Sequence, residues 1–255
     1  MEDCNPTKLP MDPSTKLHED KKGQRVDAIE YRRIIGCLRY LIHTRPDLAF
    51  LVGVASRYME KPTVMHMQAV KKIIRYLKST TDLELVYTLG EEQEVLVGYS
   101  DSDMGADLRG RRSTAGMAFY LNESLVTWCS QNQKTMALSS CEAEFMAATA
   151  AAMQALWLRN LYSKLTATKS FVVPFYVDNN SAIALTKNPV FHGCCKHIDI
   201  KYHFIRKCVE RGQIVVRRIG TNEQRADSLT KALLVGKLAV MRHLLGVREI
   251  HTHND

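Results

Sequence analysis

Four acidic residues of this chain stand where folding alone gives a carboxylate little reason to be. Asp101 closes the apolar run V-L-V-G-Y-S-D and Asp178 closes F-V-V-P-F-Y-V-D. Glu144 falls in the first turns of an alanine-rich stretch, and Asp227 lies in R-A-D-S-L-T-K. Asp and Glu are seldom buried unless they are paired or bind a metal. An acid ending an apolar strand therefore points to the strand ends of an α/β sheet, where such folds place their sites. Singly, each has a plain structural alternative: Asp178 as the N-cap of the next helix, Asp227 as a surface helix residue. Together, converging carboxylates repel one another unless a divalent cation sits between them, and hard oxygen ligands select Mg²⁺ or Mn²⁺. The chemistry that uses such a cluster, with no required cysteine or histidine, is two-metal phosphodiester hydrolysis.

The elements that must position these acids can be read from periodicity. Alternating runs at 83–88, 95–100, 114–121 and 125–129 predict the strands of a meander. A long helix over about 141–165 follows, then a buried strand at 171–177, helices near 179–187 and 199–211, a strand at 214–219 and a last helical segment from about 222. On the long helix Met146, Ala148, Ala152, Met153 and Ala155, with Trp157, are expected in the core. Antiparallel strands followed by alternating helix and strand predict an α/β fold, a mixed sheet flanked by helices. Upstream, the spacing of Ile34, Leu38, Leu41 and Ile42 is helical, Pro46 opens a second helix to about Tyr58, and Pro62 precedes a third to about Lys78. That third helix sets Val70, Ile73, Ile74 and Leu77 against Lys71, Lys72, Arg75 and Lys78, a solvated face or one turned to phosphates. Residues 1–24 carry Pro6, Pro10, Pro13 and many charges, the composition of an extended tail or linker. The expected organisation is thus a tail at 1–24, a small helical segment at 25–81 and the mixed α/β domain at 82–255.

Composition narrows the class without deciding it. In 255 residues, 45% hydrophobic content is ample for a core. The net charge of +8 suits a polyanion partner, but it is shared evenly, +4 for residues 1–90 and +4 for the rest. No run approaches the ~18 apolar residues of a membrane helix and the start lacks a signal-peptide core, so a soluble, intracellular chain is expected. The seven cysteines form no paired knuckles and are expected reduced.

In order, Y-S-D-S-D-M, R-R-S-T-A-G, A-L-S-S-C-E-A-E-F-M-A, V-D-N-N-S-A-I-A-L, K-H-I-D-I-K-Y-H-F-I-R and R-A-D-S-L-T-K resemble the ribonuclease H domain of copia-type retrotransposon Pol polyproteins. Upstream, Y-R-R-I-I-G-C-L-R-Y-L-I-H-T-R-P-D-L-A-F and A-V-K-K-I-I-R-Y-L-K resemble the family's thumb or connection segment, after the polymerase palm. The family's Y-x-D-D polymerase motif is absent, so the chain is not expected to copy a template. The resemblance implies a ribonuclease H-like sheet and metal-dependent endonucleolytic cutting of the RNA strand of an RNA/DNA hybrid. It also implies two Mg²⁺, with Mn²⁺ able to substitute, on Asp101, Glu144, Asp178 and Asp227, and the rest of the Pol polyprotein as a partner. Glu142 and Glu144 lie about 200° apart on a helix, so both cannot face one site. Glu144 matches the family's A-E-aromatic pattern. Asp103, beside Asp101, reads as a loop or capping residue.

A hybrid must be gripped on both backbones, through RNA 2′-hydroxyls and DNA phosphates. The candidates are Arg111, Arg112, Ser113, Thr114, Gln133, Ser139, Ser140 and Asn179, each of which can instead serve only as a cap. The chain departs from many relatives at Met104, Gly110, Gln131 and Asn132, positions that bear on substrate affinity rather than catalysis. The histidine that cellular ribonucleases H carry before the last Asp has no counterpart in I-G-T-N-E-Q-R. His192, His197 and His203, with Cys194 and Cys195, lack zinc-knuckle spacing. Structural hydrogen bonding is expected of these histidines, with substrate or proton handling by His197 as the alternative. The rival function is a catalytically inactive, nucleic-acid-binding remnant, against which the four retained acids argue.

Overall fold

The computed structural model describes residues 4–88, 96–107, 110–169, 171–187 and 196–249. Along the chain run α1 (Ala28–Leu41), a 3₁₀ turn (Pro46–Leu48), α2 (Ala49–Ser56), α3 (Val64–Lys78), β1 (Leu83–Leu85), β2 (Leu96–Ser102), β3 (Thr114–Leu121) and β4 (Ser124–Asn132). There follow α4 (Ser140–Thr166), β5 (Val173–Val177), α5 (Asn180–Lys187), α6 (Lys196–Glu210), β6 (Ile214–Arg218), a 3₁₀ turn (Asp227–Leu229), α7 (Val235–Leu244) and β7 (Val247–Glu249). The chain divides into two compact units: Thr88–Ala106 with Arg111–Thr230, and Met1–Tyr87 with Asp107–Gly110 and Lys231–Asp255.

The second of these units is helical. The Asp27 side chain caps α1 by accepting from the Ile29 amide at 2.8 Å. Tyr31, Ile35 and Leu38 on α1, Val52 and Ala55 on α2, and Val70 and Ile73 on α3 share one apolar cluster. Leu233, Leu238 and Met241 belong to that same cluster. Leu233, Leu238 and Met241 therefore pack with the N-terminal helices, where an 82–255 domain was expected. β1, expected to begin the meander, pairs antiparallel with β7, Leu83 opposite Glu249. An apolar periodicity says that a face is buried and not what buries it. Residues 4–24 hold no helix or strand, yet Met11 and Leu17 are buried in the helical core. They lie along the basic side of α3, where Lys72 pairs with Asp12 and Lys78 Nζ donates to the Cys4 carbonyl at 3.0 Å. The tail, rather than water or phosphate, thus occupies part of that face.

A buried polar knot closes this unit. The Arg45 guanidinium meets the Asp47 carboxylate through two 2.9 Å hydrogen bonds and donates to the Thr80 carbonyl at 3.0 Å, while the Tyr76 hydroxyl donates to Asp47 at 3.1 Å. Removing one partner of a buried pair strands the other charge. Asp47→Ala is expected to cost about 3–5 kcal/mol of stability by chemical denaturation. A loss below about 1 kcal/mol would show that the knot contributes little.

The other unit is a five-stranded mixed sheet in the order β4-β3-β2-β5-β6, with β2, β3 and β4 antiparallel and β2, β5 and β6 parallel. This is the α/β mixed sheet with flanking helices that the sequence predicts. Ala148, Ala151, Ala152 and Ala155 bring α4 against Leu96, Phe119 and Phe175, because small side chains let a helix approach a sheet closely. Met153 and Trp157, expected in the core, are 52% and 57% exposed. At about 100° per residue they fall on the side of α4 away from the sheet. Side chains alternate along β2, so Tyr99 and Asp101 leave on the face opposite Leu96. There the Arg225 guanidinium lies 5.2 Å and 4.4 Å from the ring centres of Tyr99 and Tyr120, tying down the segment that leads to Asp227.

Candidate active site

β2 and β5 are adjacent parallel strands, with Gly98 opposite Phe175 and Tyr99 opposite Tyr176. Continuing that register by two residues sets Asp101 level with Asp178, so the two acids that end apolar runs emerge side by side. Glu144 joins them from the second turn of α4. One carboxylate oxygen from each of Asp101, Glu144 and Asp178 can be chosen so that all lie within 4.8 Å of one another. Asp101 and Glu144 are only 2% and 6% exposed.

The local sequence explains which neighbouring acids and amides serve instead as caps. Ser139 caps α4 by accepting from the Glu142 amide at 3.1 Å, and Glu142 reaches back to accept from the Leu138 amide at 2.8 Å. Glu142 is thus a helix cap. The cap of α5 is Asn179, which accepts from the Ala182 amide at 3.0 Å, so Asp178 does not fill that role. Asp103 Oδ1 accepts from the Thr114 amide at 2.8 Å and closes the β2–β3 end.

Glu144 Oε1 accepts from the Ser102 amide at 3.1 Å, while Oε2 is buried without a donor. Burial, and then the charges of Asp101 and Asp178, push the Glu144 carboxyl up to about 9. A buried oxygen with no donor, in a set of hard oxygen ligands only, fits a divalent cation. Such a charge would offset the burial and the repulsion that raise the Glu144 carboxyl.

Asp227 lies outside this group of three. It is fully buried in the 3₁₀ turn and is no surface helix residue. Thr230, three residues on, donates from its hydroxyl to Asp101 Oδ2. Sequence reasoning missed Thr230; the only signal was its place in the same R-A-D-S-L-T-K motif as Asp227.

The proposed substrate-binding residues divide by what they touch. Arg111 and Arg112 are exposed, with Arg111 in the left-handed backbone region at φ 48°, and Ser140 is exposed at the start of α4. Ser113 is buried and accepts from the Gly105 amide at 3.0 Å, while the Thr114 hydroxyl donates to Asn132 at 3.3 Å. Gln133 Nε2 donates to the Ala143 carbonyl at 2.8 Å and to Ser102 Oγ at 3.2 Å, linking β2 to the start of α4. His203 is exposed on α6. His192, Cys194 and Cys195 lie outside the described residues, as does the His197 side chain. Among the described residues no helix is long and apolar enough to cross a membrane.

No family model matches the chain. Among curated proteins, the retrovirus-related Pol polyprotein from transposon TNT 1-94 of Nicotiana tabacum is 38% identical over 256 residues, 97% of this chain and 19% of that protein. The Pol polyprotein from transposon RE1 of Arabidopsis thaliana is 38% identical over 230 residues, 90% of this chain and 16% of that protein. Secreted RxLR effector protein 161 of Plasmopara viticola is 45% identical over 131 residues, 51% of this chain and 92% of that protein. Among solved structures, LC11-RNase H1 from compost is 19% identical, with a TM-score of 0.38 over 54% of this chain and 94% of that one. A foamy viral protease-reverse transcriptase in complex with double-stranded DNA is 9% identical, with a TM-score of 0.47 over 79% of this chain and 33% of that one. Over 90% or more of its length the chain is thus homologous to copia-type, retrovirus-related Pol polyproteins of plant transposons, of which it spans 19% or less.

Proposed function

We propose that the chain hydrolyses the RNA strand of an RNA/DNA hybrid endonucleolytically, with divalent metal held by Asp101, Glu144, Asp178 and Asp227. The observation that carries this reading is the convergence of three carboxylates, two of them buried, on one point where parallel strands end beside a helix. A pair of bound Mg²⁺ or Mn²⁺ ions would supply an activated water and stabilise the leaving oxygen. The chain's own contribution is positional. Strand register aligns Asp101 with Asp178, the Ser102 amide holds one oxygen of Glu144, and burial keeps bulk water from these oxygens. The exposed Arg111 and Arg112 would meet phosphates, with the buried Ser113, Thr114 and Gln133 as support. The capping serines and Asn179 can offer hydroxyl or amide groups to 2′-hydroxyls only alongside their caps. In its longer relatives such a segment would act beside the rest of the Pol polyprotein.

The test is direct. The full chain, given a hybrid labelled on either strand, is expected to cut RNA internally in Mg²⁺ or Mn²⁺, to stop in excess chelator, and to leave the DNA strand whole. Equal cutting of duplex DNA would reject the assignment. Tight hybrid binding without any turnover would favour the binding-module reading.

A further inference from the structure

Within the α/β unit, the strand that bears Asp101 and the turn that bears Asp227 are far apart in sequence and meet at a buried contact. Thr230 is fully buried, and its hydroxyl both reaches Asp101 Oδ2 and lies 3.0 Å from the Asp227 carbonyl oxygen. A second tie runs parallel to it: the buried Gln224 donates from Nε2 to the Ser100 carbonyl at 2.9 Å. β3 leaves room for this approach at Gly116, the antiparallel neighbour of Asp101. A Cβ on Gly116 would stand 2.8 Å from Thr230 Cγ2 and 2.9 Å from both the Ala226 carbonyl oxygen and Leu229 Cβ. Since one of those atoms is backbone, the turn cannot sit this close over any residue but glycine.

We infer that Thr230 is a positioning residue of the acid cluster: its hydroxyl sets the rotation of the Asp101 carboxylate and fastens the Asp227 turn to β2, with Gly116 as the seat. The inference rests on the metal-binding reading of those acids. The terminal torsion of an aspartate has a broad, two-fold preference, so an unrestrained carboxylate presents either oxygen in many orientations. A donor fixed on Oδ2 removes that freedom. Hydrogen-bond partners behind a ligand typically govern metal affinity by about 10–100-fold. A threonine that only filled space would tolerate valine, which has the same shape and no hydroxyl.

The experiment compares the full-length wild type with Thr230→Val and Thr230→Ser. Mn²⁺ binding is followed by the electron paramagnetic resonance of free Mn²⁺, alongside the melting temperature and the Mg²⁺ concentration for half-maximal hybrid cleavage. Thr230→Val is expected to weaken Mn²⁺ binding by roughly 10-fold or more and to raise the Mg²⁺ requirement in step, while Thr230→Ser restores both. Should Thr230→Val fail to fold, Gly116→Ala keeps every hydroxyl but displaces Thr230, and the same loss of Mn²⁺ binding is expected from it. Unchanged Mn²⁺ affinity in the valine variant, or a serine variant as impaired as the valine one, overturns the inference. A wild type that binds Mn²⁺ yet cuts no hybrid would defeat the hydrolase reading and leave the Thr230 comparison standing. A wild type that binds no Mn²⁺ would remove both.

Discussion

Asp101→Asn is expected to abolish hybrid cleavage, by about 1000-fold or more, while the protein stays folded. That is a loss of about 4 kcal/mol from the stabilisation of the transition state. The substitution is chosen because asparagine keeps the shape of the side chain and can still accept from the Thr230 hydroxyl, so the tie to the last turn survives. What disappears is one negative charge from a site where Glu144 and Asp178 supply the others. Single-turnover cleavage at saturating substrate isolates the chemical step from binding. The melting temperature guards against a folding defect. Turnover near the wild-type rate would mean that the catalytic site lies elsewhere.

The second large effect separates two glutamates that are neighbours in sequence and differ in role. Glu144→Gln should cut the rate by orders of magnitude, with the defect persisting at saturating Mg²⁺, whereas Glu142→Gln should leave the rate within a few-fold of wild type. The Glu142 carboxylate accepts from the Leu138 amide at the start of α4, a favourable end for negative charge, and glutamine can still accept there. Its replacement should cost about 1 kcal/mol or less of stability. For Glu144 the pH dependence carries a further sign. Burial and the neighbouring Asp101 and Asp178 charges raise its carboxyl to about 9 in the folded chain, from an ordinary value of 4.5. A carboxyl raised on folding binds its proton more tightly in the native state. Without metal, the wild type therefore loses stability as pH rises from about 4.5 towards 9, relative to a variant that has no proton to lose. In chelator, Glu144→Gln should melt above the wild type by a margin that widens across that window. Added Mg²⁺ should raise the wild-type melting temperature and do little for the variant. A severe Glu142 defect beside a mild Glu144 one would show that α4 presents its other face to the site.

The sequence alone marked the three clustered acids as candidates for one site, for reasons that are local. An apolar strand that ends in Asp places its carboxylate at a sheet end, and two such strands, at Asp101 and Asp178, need only be adjacent and parallel to bring those ends together. The 100° step of a helix then separated Glu144 from Glu142 without any knowledge of the fold. Tertiary structure decided what periodicity cannot express, which is the identity of the partner across a buried face. It packed α7 with the N-terminal helices, paired β7 with β1, laid residues 4–24 along α3, and turned Met153 and Trp157 away from the sheet. It also set Thr230 against Asp101 and over Gly116, contacts between residues more than a hundred positions apart. Hydrophobic burial is non-directional and names no partner, and a hydroxyl–carboxylate contact across such a separation exists only once the chain has closed on itself.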